Sequence, residues 1–178
     1  MKKNYFLLLF LFLFIKISNA QFIFKVETTT ANETFVIPTK PGETYNYQVS
    51  YTKATGELPR FVTSRGNTTL TFDNPGIHTV EINLVPGDFF NESFFPAIYF
   101  NKTGDKDKIV SIEKWGNNKW TTMENAFAGC SNLVINATDT PNLSLVTNMS
   151  FMFEGTTNLE DLKDKIGNWN MESVENLT

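Results

Sequence analysis

Met123-Glu124-Asn125-Ala126-Phe127-Ala128-Gly129-Cys130-Ser131-Asn132-Leu133 is answered 26 residues later by Met149-Ser150-Phe151-Met152-Phe153-Glu154-Gly155-Thr156-Thr157-Asn158-Leu159. Met123 matches Met149, Phe127 matches Phe153, Gly129 matches Gly155, Asn132 matches Asn158 and Leu133 matches Leu159. Upstream, Trp115 and Trp120 match Pro141 and Val146, and a third copy, offset by 28, runs through Trp169, Val174 and Leu177. This is the period of a repeat architecture. Within a copy, Met123, Ala126 and Phe127 fall at helical spacing, predicting a helix over 122–128, with Gly129 placed to end it in the left-handed region. Residues 131–136 alternate as a short strand that puts Leu133 and Ile135 on one face. A copy with two apolar faces must stack on its neighbours, and about three copies are the minimum for stability. The third copy reaches Thr178 before supplying its Phe and Gly, an ending that points to a fragment or an early stop.

Residues 22–95 follow a different pattern. Short apolar and β-branched runs at 22–28, 34–37, 45–51, 60–63, 68–72 and 78–84 are separated by Lys40-Pro41-Gly42, Ala54-Thr55-Gly56, Arg65-Gly66-Asn67, Asn74-Pro75-Gly76 and Pro86-Gly87-Asp88. Each break holds a residue that presets a turn or accepts positive φ. With no long amphipathic helix between them, these runs predict a small antiparallel sandwich rather than a βαβ sheet. The stretch Thr71-Phe72-Asp73-Asn74-Pro75-Gly76-Ile77-His78-Thr79-Val80-Glu81-Ile82 resembles the last hairpin of a polycystic-kidney-disease-type (PKD) domain. That resemblance implies an immunoglobulin-like sandwich over 21–95. The family's Trp-Gly-Asp-Gly stretch is replaced here by Tyr51-Thr52-Lys53-Ala54-Thr55-Gly56, and His78 takes a place usually aromatic, which suits half-buried packing better than catalysis.

The first 20 residues read as a secretory signal peptide: Lys2 and Lys3, an apolar run from Tyr5 to Ile15, then Ser18-Asn19-Ala20. The run is far shorter than the about 20 residues a bilayer-spanning helix needs. Cleavage after Ala20 predicts a secreted or surface-displayed mature chain with no transmembrane segment. No cysteine stands at the cut, so a lipid anchor there is excluded.

The 178 residues are 41% hydrophobic, 19% charged and include 17 Phe, enough apolar material for a packed core. Residues 21–178 carry 12 basic and 19 acidic side chains, a balance of −7 that disfavours nucleic acid as a partner. One cysteine, Cys130, and one histidine, His78, rule out a disulfide framework and a Cys/His zinc site.

The repeat stretches 123–133 and 146–155, with the approach Ile98-Tyr99-Phe100-Asn101-Lys102-Thr103-Gly104-Asp105-Lys106-Asp107-Lys108-Ile109 and the tryptophans Trp115 and Trp169, are similar to the BspA-like leucine-rich-repeat surface proteins of bacteria. The resemblance covers roughly 97–178 and implies export and a short α/β leucine-rich-repeat solenoid over 96–178. Residues 109–112 would be its first strand and 98–100 part of its cap. Members are associated with adhesion or surface binding and share no active site, so the resemblance assigns no catalytic residue, cofactor or metal ligand.

The remaining chemistry-bearing residues point the same way. Cys130 matches Thr156 and has no base at hand, which predicts a small buried structural side chain. Asp105 and Asp107 fall short of the six to eight oxygens calcium takes, and Glu154, Glu160, Asp161 and Asp164 read as an exposed face. Eight Asn-x-Ser/Thr sequons occur, at Asn32, Asn67, Asn91, Asn101, Asn136, Asn142, Asn148 and Asn176. Asn148 and Asn176 share one repeat position, where a stacked Asn is expected to hydrogen-bond the backbone of its neighbour. Phe89, Phe90, Phe94 and Phe95 are expected to seal the joint between the two halves, with an exposed binding patch as the other reading. The function expected is non-enzymatic binding of a protein or glycan at a cell surface. The alternatives are a passive spacer region and an accessory module of a secreted hydrolase.

Overall fold

A computed structural model of the chain describes residues 22–53, 56–85, 94–158 and 162–178. The expected signal peptide, Phe89, Phe90, Asn91, Leu159, Glu160, Asp161 and residues 54–55 and 86–88 lie outside the described residues. Among the described residues eight strands follow in order: β1 (Phe22–Thr28), β2 (Glu33–Ile37), β3 (Tyr47–Tyr51), β4 (Arg60–Ser64), β5 (Thr68–Phe72), β6 (Gly76–Asn83), β7 (Ile109–Lys114) and β8 (Val134–Ile135). One short helix, α1 (Leu162–Ile166), comes after them.

Alternation explains the strands. In β1, Phe22, Phe24, Val26 and Thr28 are buried while the residues between them face outward, the period-two signature of a sheet with one covered face. β1 sits inside a six-stranded sheet of order β4-β3-β6-β1-β7-β8, antiparallel except for the β7–β8 pair. β2 and β5 form a separate two-stranded antiparallel sheet.

This arrangement corrects the expected fold class. The sheet does not close into an immunoglobulin-like sandwich followed by an α/β leucine-rich-repeat solenoid: β7 pairs with β1, so the strands of residues 22–83 and those beyond 108 build one β-rich body. The Asn74-Pro75-Gly76 turn is not a PKD-type hairpin, because β5 pairs with β2 while β6 pairs with β1 and β3; the turn carries the chain from one sheet to the other. The predicted strand over 131–136 shrinks to Val134–Ile135. The predicted helix over 122–128 is a run of turns.

Hydrogen bonding explains why that helix fails. Ala126, Ala128 and Cys130 N–H groups donate to the carbonyls three residues back, at 3.1, 3.4 and 3.1 Å. The alternate amides of Met123, Asn125, Phe127 and Gly129 point sideways to Asn148, Ser150, Met152 and Glu154. An amide spent on a neighbouring segment cannot make the i→i−4 bond a helix requires. Asn125, at φ 52°, breaks the helical path outright.

The core is continuous. Phe22 of β1 lies 5.8, 5.2 and 6.5 Å from the rings of Trp115, Trp120 and Phe127, and Phe24 meets Phe35 of the second sheet at 5.8 Å. Phe95 packs edge-on against Tyr47 and Trp120, at 4.9 and 5.9 Å, and so joins strand β3 to the later turns. Phe94 is 38% exposed, and its backbone bridges Asn46. Polar ties run beside the rings: the Tyr45 hydroxyl donates to Ala97 O at 3.0 Å, and Lys40 pairs with Glu124 at 2.6 Å.

A charged clasp holds the β1–β2 turn. Glu33 Oε2 accepts from Thr29 N and Thr30 N at 2.7 and 3.1 Å, and its other oxygen meets Lys108 at 3.1 Å. The two backbone N–H groups, then Lys108, hold the Glu33 carboxyl down at about 2. A depressed acid stabilises the fold above its ordinary value of 4.5 and loses that contribution as pH falls toward about 2. The melting temperature is therefore expected to drop through that window, and Glu33→Gln to flatten the drop; scanning calorimetry from pH 6 down to about pH 2 checks it.

Candidate functional site

Residues 122–129 and 148–155 adopt the same turn. Each opens with a side-chain oxygen that caps an amide two residues on: Thr122 Oγ1 accepts from Glu124 N at 3.2 Å, and Asn148 Oδ1 accepts from Ser150 N at 2.9 Å. Asn176 repeats the device, accepting from Thr178 N at 3.2 Å. Asn148 and Asn176 thus cap their own turns, and the expected side-chain bond to a neighbouring turn is not what these oxygens make. Positive φ recurs at equivalent places, 52° and 57° at Asn125 and Phe151, 80° and 72° at Gly129 and Gly155.

Because the turns match, they stack. Met123, Asn125, Phe127 and Gly129 donate to Asn148, Ser150, Met152 and Glu154 at 3.0, 2.9, 2.8 and 2.7 Å. On the other side, Phe100 and Lys102 donate to Ala126 and Ala128 at 3.2 and 2.9 Å. The rings of Phe127 and Phe153 lie parallel, 5.9 Å apart with a 14° interplanar angle. Gly129 and Gly155 sit over one another, so a Cβ on Gly155 would lie 3.6 Å from Gly129 Cα.

Residues 176–178 continue the ladder on the far side of residues 148–155. Met149 N and Phe151 N donate to Asn176 O and Thr178 O, both at 2.8 Å. The amides of Phe153 and Gly155, equivalent to the bonded ones of Phe127 and Gly129, have no acceptor among the described residues. Beside them opens a cavity of ≈ 320 Å³ walled by Met149, Met152, Phe153, Ile166, Trp169 and Met171, with Phe151, Glu154, Leu177 and Thr178 also lining it. Phe151 and Leu177 are 47% and 63% exposed there. Its size falls in the range of small ligand pockets, and the walls are almost wholly apolar. Sequence reading did not single out this cavity. Its signal was present in the apolar spacing of Ile166, Trp169 and Met171, which fits no strand or long helix.

The residues weighed from sequence are dispersed. His78 stacks on Phe72 at 4.1 Å and bonds Thr28 Oγ1 at 3.0 Å; burial, partly opposed by the Asn74 backbone, lowers its pKa. Cys130 is fully buried, and burial pushes its thiol well above the ordinary range. Asp105 pairs with Lys108 at 3.0 Å and accepts from Val36 N at 2.7 Å, while Asp107 pairs with Lys106 at 2.7 Å. Glu154 pairs with Lys102 at 2.7 Å, and Asp164 lies in the first turn of α1. Among the described residues no group of three His, Cys, Asp or Glu side chains could hold a metal ion, and no helix is long and apolar enough to cross a membrane.

The fold defines a β-rich protein in which the turns at 122–129 and 148–155 stack on one another. Residues 93–178 match the family model described as Mycoplasma protein of unknown function, DUF285. No curated protein and no solved structure matches the chain.

Proposed function

We propose that the chain is a non-enzymatic bacterial surface protein, exported by its first 20 residues and related to the BspA-like surface proteins, that binds a protein or glycan on a host, a neighbouring cell or the matrix. The observation that carries this reading is the row of matched turns at 122–129 and 148–155, stacked by main-chain hydrogen bonds into a repeating surface that carries exposed side chains such as the 47%-exposed Phe151. The leader's composition and the DUF285 match over 93–178 support the exported setting.

Cell-binding and glycan-array measurements on residues 21–178 test it. Removing 109–178 is a poor comparison, because it strips β7 from β1. Phe151→Gly is better: it takes away a 47%-exposed ring at φ 57°, where glycine is unstrained, and leaves the fold in place. Binding by the parent and about tenfold weaker binding by Phe151→Gly is the expected pair of results. Binding that is absent, or unchanged by the substitution, contradicts the reading.

A further inference from the structure

We draw no further inference here: the strongest candidate, the face of the six-stranded sheet where the 57%-exposed Phe61 of β4 lies in register with Ser50 of β3 and Glu81 of β6, is an unpartnered sheet face, and nothing in the structure shows what covers it.

Discussion

Replacing Trp115 by alanine is expected to destabilise the protein by about 3–5 kcal/mol, the range for deleting a fully enclosed large aromatic side chain. Trp115 has no exposed surface and touches four rings: Phe22 at 5.8 Å, Trp120 at 6.2 Å, Phe127 at 6.1 Å and Trp169 at 5.1 Å. It therefore ties β1 to the first stacked turn and to the segment after α1, so one truncation opens a void that several elements line. Trp115→Phe should behave differently. The indole Nε1–H is buried with no acceptor among the described residues, and an unpaired donor of that kind costs about 1–3 kcal/mol. Phenylalanine keeps most of the ring contacts and removes the donor, so its net cost should stay near about 1 kcal/mol. Urea denaturation of the two variants checks the contrast; equal losses would mean that ring packing at this site is not what holds the core.

The second large effect is at Gly129. Its φ is 80°, and a Cβ there would lie 3.0 Å from Lys102 Cα and 2.9 Å from Lys106 Cδ. The Lys106 side chain can swing away. Lys102 Cα cannot, because its amide is bonded to Ala128 O at 2.9 Å. Gly129→Ala thus combines left-handed strain with a backbone clash, for an expected loss of about 2–4 kcal/mol. Gly155→Ala has the same handedness, at φ 72°, but its nearest atom is Gly129 Cα at an ordinary 3.6 Å. Its loss should be the conformational penalty alone, about 1 kcal/mol. The difference in denaturation midpoint between the two alanine variants measures how tightly residues 100–102 sit on the 126–129 turn. A Gly155→Ala loss as large as that of Gly129→Ala would contradict the stacking order described here.

Alternation made the strands readable. Phe22, Phe24 and Val26 announce β1, and Leu70 and Phe72 announce β5, because a half-buried strand writes its geometry into every second residue. What alternation cannot write is which strand lies beside which. β1 accepts β7 as readily as a sandwich partner, and the β1–β7 pairing, with its register shifts beside Phe24 and Val26, turned an expected pair of separate folds into one sheet. The helix misreading over 122–128 has a similar root. Met123, Ala126 and Phe127 are spaced as on a helix, and they do face one side, but successive turns present the same spacing. The discriminating residue was Asn125, whose left-handed backbone is cheap for Asn and fatal to a helix. The cavity was harder still, because its walls come from residues 149–154, from Ile166 in α1 and from Trp169 and Met171 after it, which are distant in sequence.

Through-hydrogen-bond scalar couplings in a uniformly labelled sample give the most direct test of the stacked turns. Couplings from Phe127 N to the Met152 carbonyl and from Gly129 N to the Glu154 carbonyl are expected, matching contacts of 2.8 and 2.7 Å. Couplings from those amides to carbonyls four residues earlier would instead place a helix at residues 122–129, and the binding reading built on the stacked turns would go with the ladder.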